Sequence, residues 1–301
     1  MAPLFKAIAT IFALYASTLT ALAQERAKIV TVNYPLKYLA ERLIGENGEV
    51  VFPVPEGIDP SFWRPSIADV SMIQSADLIV LNGAGFATWV DRVTLPRSRL
   101  VNTTAAVEQL FITTESITHS HGDGGEHSHE ATASFTWLDP TLAIAQAEAI
   151  AGVIAARGLA SPGDIYANFA ELRADLKALD KKTKSALEGA KDIAMIATHP
   201  RYQYFARRYG LSIASVAWAP GAMPSETEMA ELRVLVENTQ ASVLIWEAAP
   251  PVEALEATNA LGLRSVVFDP MATASSGNSF IASVQASVSE LSAAVTEILA
   301  N

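Results

Sequence analysis

The sequence predicts an α/β protein of two lobes with mainly parallel sheets, joined by one long rigid helix. Three observations carry that prediction. Short runs rich in Val and Ile alternate with stretches of helical length in the first half of the chain, the rhythm of a parallel sheet. The same rhythm restarts after residue 190. Between them, residues 164–191 are charged and periodic in Ala and Leu, with no internal Gly or Pro until Gly189.

In the first lobe, residues 28–32 read as a buried strand, 38–44 as a helix, and 50–54 and 76–81 as further strands. The last strand runs into Asn82-Gly83-Ala84-Gly85 and a helical stretch around Trp89, and residues 141–157 form the next helix. Strands are then expected at 193–197, 211–216, 241–246 and 265–268, and helices at 202–209, 225–238, 252–261 and 279–299. The expected organisation is a signal peptide over 1–23, an N-terminal lobe over 24–162, a linking helix over 163–190 and a C-terminal lobe over 191–301.

The opening segment carries the marks of export. Lys6 gives it a positive start, residues 8–22 are mostly apolar, and Ala21-Leu22-Ala23 fits a small-x-small cleavage site. Thr10, Ser17, Thr18 and Thr20 interrupt an apolar run already shorter than the ~20 residues of a membrane span. Cleavage near Ala23 would deliver the chain to the periplasm, and a monomer is expected. The whole chain carries a formal charge of −11, and Lys6 is the only charged residue before position 24. So acidic a chain is a poor partner for nucleic acid, whose phosphates demand clustered Lys and Arg. The absence of cysteine excludes disulfides and thiolate metal sites.

Enzyme motifs are missing. Gly83-Ala84-Gly85 follows a strand, but Thr88 stands where a dinucleotide fingerprint needs its third glycine. There is no P-loop, no His-Glu-x-x-His and no Gly-x-Ser-x-Gly. The expectation is a binding protein, not an enzyme.

Metal chemistry is better represented. His119, His121, His127 and His129 crowd one Gly-rich run with Asp123 and Glu126, and paired imidazoles around flexible glycines suit capture of a transition ion. His199 is the only histidine elsewhere. It ends one expected strand and Asp269 ends another, each followed by Pro, so both fall on the rim where open α/β sheets bind ligands. One imidazole and one carboxylate make half of a zinc or manganese shell; a structural His–Asp pair is the alternative.

Several segments together resemble the solute-binding proteins of zinc and manganese ABC importers, the cluster A-I or cluster 9 group. They are Gly57-Ile58-Asp59-Pro60 with Pro65-Ser66, Asn82-Gly83-Ala84-Gly85-Phe86 with Trp89, and Trp137-Leu138-Asp139-Pro140. They continue with Thr198-His199, Tyr204-Phe205-Ala206-Arg207-Arg208-Tyr209-Gly210-Leu211, Pro224-Ser225 and Phe268-Asp269-Pro270. The resemblance implies two α/β lobes, a rigid connecting helix and one metal in the cleft between them. It implies an ABC permease and ATPase as partners, with a periplasmic metallochaperone as a further candidate.

The resemblance also implies four inner ligands, and two are replaced. Ser61 stands at the first position and Phe135 at the second, while His199 and Asp269 match the third and fourth. Asp59, Glu247 and a histidine of the 118–130 loop are candidate substitutes, His129 lying within reach of position 135. Phe62, Trp63, Phe135 and Trp246 could instead cover a larger ligand or fill vacated volume. The expected function is periplasmic capture of a transition metal, zinc ahead of manganese, for an ABC importer. A degenerate relative binding a chelated metal or small organic ligand, and a periplasmic zinc chaperone or buffer, are the alternatives.

Overall fold

The structure is a computed structural model that describes residues 26–114, 131–274 and 278–300. The expected signal peptide and the loop bearing His119, His121, His127 and His129 lie outside the described residues. In the first lobe, β1 (Ala27–Thr31), β2 (Gly48–Val51), β3 (Leu78–Leu81) and β4 (Leu100–Asn102) form a parallel sheet in the order β2-β1-β3-β4. Ile29, Val30, Leu78, Ile79 and Val80 are buried, as central strands covered on both faces must be. Two short antiparallel strands, β5 (Thr113–Thr114) and β6 (Ala131–Thr132), flank residues 115–130.

The second lobe repeats the plan. β7 (Ala194–Ala197), β8 (Ser212–Ser215), β9 (Val243–Trp246) and β10 (Arg264–Val267) pair in parallel, in the order β10-β9-β7-β8.

Helices α1 (Tyr34–Ile44), α2 (Ile67–Ser75) and α3 (Pro140–Ala156) belong to the first lobe. Helices α5 (Gln203–Tyr209), α6 (Glu226–Thr239), α7 (Val252–Asn259) and α8 (Phe280–Ala300) belong to the second. Between them runs α4 (Pro162–Ala186), 25 residues long, which spans about 37 Å at 1.5 Å per residue. Its buried residues Ile165, Phe169, Leu172, Leu176, Leu179 and Thr183 recur every three or four positions, so one stripe faces the core. That stripe packs on α1 and α3 of the first lobe and on α8 of the second. No helix among the described residues is long and apolar enough to cross a membrane.

The lobes are bonded directly as well. Trp137 Nε1 donates to Pro270 O at 2.7 Å, and Tyr204 Oη donates to Ala133 O at 2.9 Å. The Tyr34 amide donates to Ala272 O at 3.0 Å. One apolar core runs through both lobes, from Ile29 and Leu36 to Phe268 and Leu291. The relative placement of the two sheets is therefore held by packing and by hydrogen bonds together.

Candidate metal centre in the interlobe cleft

Both sheets present their carboxyl ends to the cleft. On the first lobe the chain leaves β3 through Gly83, Ala84 and Gly85, all at positive φ. A Cβ on Gly83 would fall 2.1 Å from Thr104 Oγ1, so this close approach admits only glycine. The turn brings the Asn82 side chain into a buried network. Its Oδ1 accepts from Gln146 Nε2 at 3.0 Å and Thr136 Oγ1 at 3.3 Å, and its Nδ2 donates to Ser134 O at 3.0 Å. The 134–137 segment, with Phe135 and Trp137, is fixed by these bonds.

On the second lobe, His199 follows β7. Its Nδ1 lies 2.9 Å from Trp218 O. A carbonyl only accepts, so Nδ1 carries a proton, and in the neutral imidazole the lone pair is then on Nε2. Metal-binding imidazoles are oriented in the same way. Thr198 ties the neighbouring strand end in place, its Oγ1 accepting from the Glu247 amide at 3.3 Å. Glu247 Oε2 then lies 3.8 Å from His199 Nδ1. After β10, Asp269 Oδ1 accepts from the Met271 amide at 2.7 Å, which closes a tight turn. Met271 takes φ +62° there, an uncommon conformation for a long side chain, and is fully buried.

The cleft between the lobes holds a cavity of about 270 Å³ lined by Asp59, Glu247 and Asp269 among Ile58, Pro60 and Pro270. Burial raises the Glu247 carboxyl above its ordinary pKa, and the nearby Asp59 and Asp269 add to that shift while Arg201 opposes it. Burial likewise raises Asp269, against the Met271 amide bond. In both, the cost of burying the charged form outweighs the contacts that favour it.

Arg201 was not among the candidates, yet it sits at the middle of this arrangement. Only 6% exposed, it donates through Nη2 to Asp59 Oδ2 at 2.6 Å. Its Nε lies 3.6 Å from Glu247 Oε1, close enough for charge attraction but too long for a good hydrogen bond. Its guanidinium carbon stands 4.3 Å over the centroid of the Phe135 ring. The only advance signal was position: an arginine two residues past His199 on the same rim.

The candidates thus separate. Asp59, Glu247 and Asp269 line the cavity, whereas His199 is not part of its lining and reaches it through Glu247, 3.8 Å away. Asp59 closes a turn, accepting from the Ser61 amide at 2.8 Å through Oδ1, and gives Oδ2 to Arg201. Among the described residues no three His, Asp or Glu side chains are grouped closely enough to hold one ion. Phe135 is buried against Phe86 and Trp137, at centroid distances of 5.7 and 4.6 Å. Trp63 packs on Trp89 and Trp246 on Trp218, each within its own lobe. Phe62 is 67% exposed.

The model of the periplasmic zinc-uptake complex component A family matches residues 29–294. Zinc-binding lipoprotein AdcA of Streptococcus pneumoniae is 28% identical over 256 residues, which cover 83% of this chain and 51% of that protein. This chain therefore spans about half the length of AdcA. High-affinity zinc uptake system protein ZnuA of Bacillus subtilis is 27% identical over 228 residues, covering 74% of this chain and 71% of that one. Among solved structures, the Zn(II)-bound ZnuA-like domain of S. pneumoniae AdcA superposes with a TM-score of 0.75 at 22% identity, over 90% of this chain and 99% of the domain. The solute-binding protein FpvC of Pseudomonas aeruginosa, in complex with Mn2+, gives 0.76 at 19% identity, over 91% and 100%. At these identities the structural likeness establishes the fold.

Proposed function

This chain belongs to the zinc-uptake complex component A family, and on that premise we propose that it captures zinc in its interlobe cleft and hands it to an ABC importer. It is a metal solute-binding protein; its task is binding, not catalysis. The proposed setting is the periplasm after cleavage near Ala23, with a permease and its ATPase as partners.

The observation that carries this reading is a charge deficit. Three carboxylates surround the cavity and one guanidinium opposes them, and Glu247 Oε2 is buried with no hydrogen-bond partner among the described residues. A buried carboxylate oxygen without a partner is costly, so the site accepts a cation readily. An imidazole in the donor set favours zinc over manganese. The proposed ligands are His199 Nε2 and the Asp269 carboxylate, with Glu247 orienting His199 or joining the shell. At ~30 Å³ per water, the cavity of about 270 Å³ leaves room for waters to complete the coordination. The histidines at 119, 121, 127 and 129 are proposed to collect ions for the cleft.

Competition of the purified mature protein against a zinc chelator tests the assignment. Wild type is expected to show one cleft ion beyond those bound by the His-rich run. The variant carrying His199→Ala and Asp269→Ala is expected to lose that ion, with at least a ~100-fold weaker affinity at the cleft. Equal stoichiometry and affinity in the two proteins would refute the cleft assignment.

A further inference from the structure

Arg201 belongs to the second lobe, but what it touches lies largely across the cleft. Its guanidinium meets Asp59 Oδ2 at 2.6 Å and stacks over Phe135, both of the first lobe, while Nε faces Glu247 of its own lobe at 3.6 Å. A permanently charged side chain so deeply buried survives only when its charge is balanced. Asp59, Glu247 and the face of Phe135 supply that balance. The same contacts make a mechanical link: one cation joins carboxylates of both lobes.

We propose that Arg201 sets the metal affinity of the cleft, a built-in cation that bridges the lobes and holds down affinity for free divalent ions. The inference rests on the metal-capture reading and deepens it. Two effects act in the same direction. The guanidinium repels an incoming divalent ion across a poorly solvated space. It also engages Asp59 and the Glu247 side, so these carboxylates are partly neutralised before any cargo arrives. A third consequence concerns the lobes. The Arg201–Asp59 contact joins them without any cargo.

Zinc titration against a competing chelator, in the full mature chain, separates this from a purely structural role. The variant bearing both His199→Ala and Asp269→Ala, measured in parallel, supplies the background from other sites. Arg201→Met is expected to tighten cleft binding at least ~10-fold and to make the zinc-free protein melt earlier, with zinc recovering the difference. Arg201→Lys keeps a charge but not the planar group stacked on Phe135, and is expected to bind zinc more weakly than Arg201→Met despite a comparable loss of packing. A structural role alone would move both variants together. Should Arg201→Met fail to fold, Arg201→Gln carries the same expectation. A folded neutral variant that binds zinc no tighter than wild type overturns the proposal, while wild-type cleft binding would still support zinc capture. Cleft binding confined to the neutral variants would support the inference and overturn the proposed function. No cleft binding in any of them would overturn both.

Discussion

Ser61→His, Phe135→His and Arg201→Ala combined are expected to raise zinc affinity by at least ~100-fold over wild type, because a shell of four protein ligands then becomes possible. All three changes are needed. Phe135 is 2% exposed and lies under the Arg201 guanidinium. An imidazole placed there alone would face a fixed positive charge and would favour neither its own protonation nor a metal. Ser61 is 7% exposed with a buried Oγ that finds no partner among the described residues, so a larger side chain there has to displace its neighbours. Restoring the two imidazoles while Arg201 remains is expected to gain little. Chelator competition on the double and triple variants measures the difference. A folded triple variant no tighter than wild type would show that the cleft no longer has the geometry of a four-ligand site.

Trp137→Ala is expected to cost about 3–5 kcal/mol of stability, the range for deleting a buried aromatic side chain from a packed core. Trp137 is 2% exposed, packs on Phe86 and Phe135, and donates across the lobes to Pro270 O at 2.7 Å. Removing it opens a cavity and strips the carbonyl beside Asp269 of its donor. Trp137→Phe keeps most of the volume and is expected to lose mainly the hydrogen bond, about 1 kcal/mol. Urea unfolding of both variants reads these costs. A loss below 1 kcal/mol for the alanine variant would contradict the tightly joined interlobe core.

Much of the fold was legible because its signals are local. The apolar runs at 28–32 and 76–81 appear as β1 and β3, and the Ala- and Leu-periodic stretch appears as α4 (Pro162–Ala186), ending before Gly189. The misses have physical reasons. Helix α1 begins at Tyr34, four residues before the expected start, because Asn33 caps it and Pro35 is tolerated in a first turn that needs no donor there. Helix α2 carries no amphipathic stripe to announce it. Its Ser66–Asp69 capping box was the available signal. Strand β4 is three residues long and too short for periodicity to reveal.

The strand ends that carry the candidate residues were legible, and the contacts across the cleft were not. His199 and Asp269 were placed on one rim by the strands that precede them, a local inference. Arg201 matters through Asp59, 142 positions away, and through the Phe135 ring. No spacing rule connects such residues. Only the docking of the two lobes turns an arginine beside a histidine into the cation at the centre of the cleft.

Anomalous diffraction at the zinc edge, from crystals of the wild-type mature chain grown with zinc, tests the central claim most directly. The expected result is an ion in the cleft with His199 Nε2 and an Asp269 oxygen at roughly 2.0–2.2 Å, and with Arg201 still bonded to Asp59. Zinc bound only outside the cleft, with neither His199 nor Asp269 as a ligand, would contradict it.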